Sequence, residues 1–165
     1  MNLHIDTIEH RHQRYDTCGD WQFNKVDCDP HAHEHLEIRV SRLGDERFEA
    51  LVALHEMVEA LLCREHGVDE AAVTAFDMQF EEDRERDLAE LNDELDHAIA
   101  DDWAPDTVAD IRRMIAIRTT QEPGDHPAAP YHSEHIFANA IERRMAEEMG
   151  ICFADYEAAI ARAGE

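Results

Sequence analysis

Asp45-Glu46-Arg47-Phe48-Glu49-Ala50-Leu51-Val52-Ala53-Leu54-His55-Glu56-Met57-Val58-Glu59-Ala60-Leu61-Leu62-Cys63-Arg64-Glu65-His66-Gly67 is the most strongly patterned stretch of the chain. Phe48, Leu51, Val52, Leu54, Val58, Leu61 and Leu62 recur at helical spacing, which predicts an amphipathic helix over 45–67. Asp45 is placed to cap its N-terminus and Gly67 to end it. At about 100° per residue, with Phe48 at zero, His55 falls near 340° and Glu59 near 20°, both within the apolar arc. Glu56, near 80°, sits at its edge. A glutamate directed into a core requires something to neutralise it, and a metal ion also accounts for the histidine one turn away.

His55-Glu56-Met57-Val58-Glu59 is thus a variant of the His-Glu-x-x-His zinc motif, with a carboxylate as the second ligand and Glu56 in the place of the water-activating base. A buried hydrogen-bonded His55–Glu59 pair is the competing reading. Zinc is the expected ion, though another divalent metal suits the same ligand types. A third ligand has two sources. Asp77 lies between Val73 and Phe80 on the apolar side of the next helix. Glu134-His135 opens a later helix, where His135 is the favoured ligand and Glu134 or Glu142 supports the ligands from behind.

Outward from this helix, residues 1–44 read as extended structure and turns, with Leu36-Glu37-Ile38-Arg39-Val40 an alternating strand in a small antiparallel sheet. A second helix starts at the Asp69 cap and reaches Ala100, with a very acidic outer half. Asp102-Trp103-Ala104-Pro105 breaks it, and Thr107-Val108-Ala109-Asp110 reads as a capping box opening a third helix to about Thr119. Residues 69–119 therefore form a helical hairpin. Prolines exclude regular structure from Glu122 to Pro130. Within 131–165, Ser133 is read as the cap of a helix ended by Gly150, followed by a short helix from Ala154 to Arg162. The expected fold class is α+β, mainly helical: one domain over 1–165, with a sheet, a zincin-like helical core and an inserted acidic hairpin.

Composition bounds the function classes. The chain has 165 residues, enough for a hydrophobic core without disulfide staples. Its net charge of −24 repels phosphate backbones, which argues against direct nucleic-acid binding and for a cation, a peptide or a basic protein as partner. No apolar run reaches membrane-spanning length and no secretory signal is evident, so a soluble cytoplasmic protein is expected, its four scattered cysteines reduced. His31-Ala32-His33-Glu34-His35 reads as a surface feature, and Glu94-x-x-His97 has no second copy to complete a di-iron site. The acidic run from Glu81 to Asp96 reads as a solvated face or an adapter surface for a basic partner.

Two resemblances attach to these residues. Arg47-Phe48 with Leu54-His55-Glu56-Met57-Val58-Glu59-Ala60-Leu61-Leu62 is similar to the active helix of ImmA/IrrE-type metallopeptidases, and Glu134-His135-Ile136-Phe137-Ala138-Asn139-Ala140 resembles their later ligand-bearing helix. Glu59 departs from that pattern, which has histidine there. Gln13-Arg14-Tyr15, Gly19-Asp20-Trp21, the His55–Glu59 motif, Glu122-Pro123-Gly124-Asp125 and Pro130-Tyr131 with Glu134-His135 resemble small phage and prophage proteins of unassigned activity, and relative to their pattern this chain's segment from about Arg84 to Thr120 looks like an insertion. The first resemblance implies a zinc-dependent peptidase-like hydrolase with Glu56 as base and His55, Glu59 and His135 or Asp77 as ligands. The second implies a phage origin, hence the host cytoplasm, and equally admits a non-catalytic accessory protein held by a structural metal or polar cluster. The charge also admits an acidic decoy for a basic host protein.

Overall fold

The computed structural model describes residues 2–24 and 35–163. Three strands, β1 (Asn2–Ile8), β2 (Gly19–Asn24) and β3 (His35–Ser41), precede five helices: α1 (Glu46–His66), α2 (Glu70–Ala100), α3 (Pro105–Thr120), α4 (His132–Glu148) and α5 (Phe153–Ala163). The mainly helical α+β class is as the sequence implied. Most of the His31–His35 run lies outside the described residues.

The sheet has the order β1-β3-β2, and it is mixed rather than antiparallel. β2 pairs antiparallel with β3, but β1 pairs parallel with it, Leu3 opposite Leu36 and Ile5 opposite Ile38. Alternation within β3 specifies a face, not the direction of its neighbours. With β1 and β3 separated in sequence by β2, the connection is long enough for a parallel pair. β3 is central because its inward residues are the most apolar: Leu36, Ile38 and Val40 are at most 1% exposed, and burying each contributes about 1.5–3 kcal/mol.

A polar knot holds the β1–β2 connection on the sheet. Asp20 is buried and receives Arg14 Nε at 2.6 Å and Tyr15 Oη at 2.9 Å, while Gln13 Nε2 donates to Ser41 Oγ at 3.0 Å. These bonds satisfy a carboxylate that would otherwise be stranded at the sheet edge, and they bring Gly19 and Trp21 to the face of α1.

α1 lies across β2 and β3 and against α4. Its caps are those read from the sequence: the Asp45 side chain accepts from the Arg47 amide, and Gly67 takes the left-handed conformation at φ 72°. The buried face carries Leu51, Val52, His55, Glu59, Ala60 and Cys63. Asp69 caps α2 in the same way. Two other caps differ from expectation. α3 begins at Pro105, whose ring presets the helical φ and whose missing N–H would have had no partner in the first turn, so Thr107 lies inside the helix. α4 begins at His132 after Tyr131, which places Ser133 in the first turn without a capping bond. The proline segment contributes one 3-10 turn, Pro123–Asp125, packed against α2 and α4. α2 runs 31 residues, and beyond Glu81 its only fully buried residue is Ala98; it pairs there with α3 as a two-helix arm. No helix among the described residues is long and apolar enough to cross a membrane.

Candidate metal centre

His55 and Glu59 project from one side of α1 because i and i+4 are a turn apart. α4 packs against α1, and its first turn delivers the buried His135 to this face. His55 Nε2, Glu59 Oε2 and His135 Nδ1 converge: 3.4 Å separates the first two, 3.2 Å the two ring nitrogens, and 2.9 Å His135 from Glu59. All three residues are at least nine-tenths buried. Two donors about 2.1 Å from a tetrahedral ion stand about 3.4 Å apart, so the three atoms lie at or somewhat inside the spacing of ligands on a single metal ion. They constitute a buried group able to hold a metal ion.

What lies behind each ligand strengthens this assignment. Glu142 Oε2 stands 3.1 Å from His55 Nδ1, and a carboxylate can only accept there, so Nδ1 carries the proton and Nε2 presents its lone pair to the group. Tyr156 Oη donates to the other oxygen of Glu142 in a short bond. Trp21 Nε1 donates to Glu59 Oε1 at 2.8 Å. His135 Nε2 is buried and makes no hydrogen bond among the described residues, yet it faces Glu122 Oε2 at 3.5 Å and Asp125 Oδ1 at 3.6 Å. With its proton on that side, His135 turns a second imidazole lone pair inward. Three lone-pair donors facing one another repel unless a cation or protons lie between them.

Electrostatics of the metal-free group tell the same story through protons. Burial works against a charge on His55, but hydrogen bonds to Glu142 and Glu59 outweigh it and raise its pKa well above the usual value. Burial likewise opposes charge on His135, while Asp125 and Glu59 push it up to about 9. Burial would raise Glu59, yet the bonds from His135 and His55 hold it down at about 2. The site therefore demands positive charge, which protons supply when no metal does.

Glu56 lines the same cavity of about 710 Å³ as the three ligands. Its carboxylate lies against Gly19, where a Cβ would overlap Oε1, so the first residue of β2 must be glycine for Glu56 to reach this position. Burial first, and then the Glu59 charge, keep its pKa well above the ordinary carboxylate range in the metal-free protein. Gly124 has a matching role across the cavity: a Cβ there would overlap the His135 ring.

Of the residues singled out in the sequence, His55, Glu59 and His135 come together and Glu56 stands beside them. Asp77 is buried in the same cavity wall but stands outside the ligand group, because its carboxylate accepts from Tyr131 Oη at 2.6 Å. Burial raises its pKa to about 6 despite that bond. Of the two candidate supports, Glu142 bonds His55, whereas Glu134 pairs with His66 at 2.7 Å. Trp21 and Tyr156 had no recognised role. Trp21 carries a signal in its neighbourhood, the Gly19-Asp20-Trp21 run, but Tyr156 reaches Glu142 from α5 and nothing in its local sequence indicates this. Cys18, Cys63 and Cys152 are free thiols. No family model, curated protein or solved structure matches the chain.

Proposed function

We propose that this protein is a zincin-like, zinc-dependent hydrolase of phage origin acting on peptide bonds, with His55 Nε2, Glu59 Oε2 and His135 Nδ1 as ligands and Glu56 as general base. The carrying observation is the convergence of three buried lone-pair donors, each oriented from behind by a separate group, on a cavity that also contains a free carboxylate. A metal ion held by His55, Glu59 and His135 would supply Lewis acidity and lower the pKa of water in the cavity. The Glu142 carboxylate holds His55 in the ligating tautomer, the negative charges of Glu122 and Asp125 near Nε2 favour the same tautomer for His135, and the indole of Trp21 fixes which oxygen of Glu59 faces them. Glu56, against Gly19, accepts a proton from water in the cavity and returns it to the leaving amine. The likeness of the α1 motif to ImmA/IrrE-type peptidases supports the peptide as substrate class. Glu59 in place of histidine keeps the ligand count at three and lowers the site's net charge by one.

Metal content of the purified, untagged protein by mass spectrometry tests the first half of this reading. Near-stoichiometric zinc lost in His55→Ala is the expected result, and no metal in either protein would overturn it. Hydrolysis of a peptide mixture tests the second half. Glu56→Gln should lower the rate by about 10²–10⁴-fold with metal content unchanged. Full zinc loading without hydrolysis would instead establish the group as a structural tie between α1 and α4.

A further inference from the structure

The α2–α3 arm carries a surface that the metal centre does not use. Between the two helices lies a groove of about 420 Å³ floored by Leu91, Met114 and Ile117. Ile117 is 60% and Met114 45% exposed, an unusual setting for adjacent large apolar side chains on one helix. Asp87, Glu90 and Glu94 line one rim. Asp87 is engaged by Arg118 at 3.0 Å, whose guanidinium continues over the Phe80 ring. The side chains of Glu90 and Glu94 make no hydrogen bond or ion pair among the described residues, although Arg86 lies within electrostatic reach of Glu90.

The charge pattern selects the occupant. From 81 to 96 the chain has nine acidic residues and two basic ones, so a second copy of the arm would bring like charges together. A basic helix meets the opposite situation. Glu90 and Glu94 are one turn apart, about 6 Å along the axis, the spacing at which a helix presents Lys or Arg at i and i+4. We propose that this groove docks an amphipathic helix of a partner protein, its apolar stripe seated on Leu91, Met114 and Ile117 and its flanking Lys or Arg residues paired with Glu90 and Glu94. Such helix-in-groove docking draws affinity from the apolar anchors and register from the rim charges. It is independent of whether the metal group is catalytic.

The probe is a labelled synthetic Leu/Lys amphipathic helical peptide, titrated by fluorescence anisotropy against the full-length protein at about 0.15 M salt, with a Leu/Glu peptide of equal hydrophobicity as control. Met114→Gln with Ile117→Gln, and separately Glu90→Gln with Glu94→Gln, should each weaken binding of the Leu/Lys peptide by about tenfold, or about 1.4 kcal/mol. Glu147→Gln with Glu148→Gln removes the same charge from α4 and should change it less than about twofold. Equal losses in the rim and α4 variants would reduce the interaction to general acid–base attraction and overturn the proposal, as would failure of the peptide to bind. Self-association of the wild-type protein in sedimentation, abolished by the Met114/Ile117 variant, would assign the groove to a second copy and equally overturn it. Unchanged circular dichroism and thermal midpoint confirm that these exposed substitutions leave the fold intact.

Discussion

Trp21 Nε1 holds Glu59 by its Oε1 at 2.8 Å, which leaves Oε2 as the oxygen that faces His55 and His135. An edge strand thereby sets the orientation of a ligand on a helix. Trp21→Phe keeps an aromatic ring in the core but removes the donor along with the smaller ring of the indole, so the thermal midpoint is measured alongside to account for the lost packing. Zinc affinity, measured by competition with a chromophoric chelator, should fall by about 10–100-fold, the usual effect of losing a ligand's supporting bond. An unchanged affinity would mean that α1 alone orients Glu59.

Glu142 and Tyr156 form a relay behind His55. Glu142→Gln should weaken zinc binding by about 10–100-fold, and Tyr156→Phe by less. If Tyr156 acts only by holding Glu142, the double variant should bind zinc no more weakly than Glu142→Gln alone. Additive losses would give the tyrosine a separate role in packing α5.

Stability should respond to pH in opposite directions with and without metal. In the metal-free protein the His135 pKa rises from 6.5 to about 9, so its contribution is complete below 6.5 and is lost as pH rises through 9. Glu59 is lowered from 4.5 to about 2, so its contribution is present above 4.5 and is lost as pH falls toward 2. The thermal midpoint of the metal-free protein should therefore decline from pH 6.5 to 9. With zinc the trend reverses, because the ligating imidazoles must be deprotonated and affinity grows as protons leave. Parallel curves in the two states would argue against His135 as a ligand.

The two cavity glycines should differ in what they disturb. Gly124→Ala places a methyl group on the His135 ring, which is fixed by its helix and neighbours, so it should destabilise the fold by about 1–3 kcal/mol and impair zinc loading. Gly19→Ala meets the end of the Glu56 side chain, which can rotate away. Zinc content should then be retained and any hydrolytic rate lost. Calorimetry and metal analysis on both variants separate the two effects.

Local sequence determined the parts governed by local physics. Asp45, Gly67 and Asp69 marked helix ends because a side-chain cap and a left-handed glycine act within a few residues. The 3.6-residue repeat placed His55 and Glu59 inward for the same reason, and a charged group on an apolar face signalled a compensating cation. His135 was legible as a candidate because it follows the proline loop at the start of a helix.

The choice of His135 over Asp77 required the tertiary structure. Both are buried on helices facing one cavity, and only packing decides that Tyr131 occupies the Asp77 carboxylate while α4 brings His135 Nδ1 within 2.9 Å of Glu59. The direction of β1 was likewise invisible locally, since alternation is the same for parallel and antiparallel neighbours. Trp21, Glu142 and Tyr156 are separated from their partners by 38, 87 and 14 residues. Hydrogen bonds of that sequence separation follow from how β2, α4 and α5 are packed, and a periodicity carried by one helix contains no information about them.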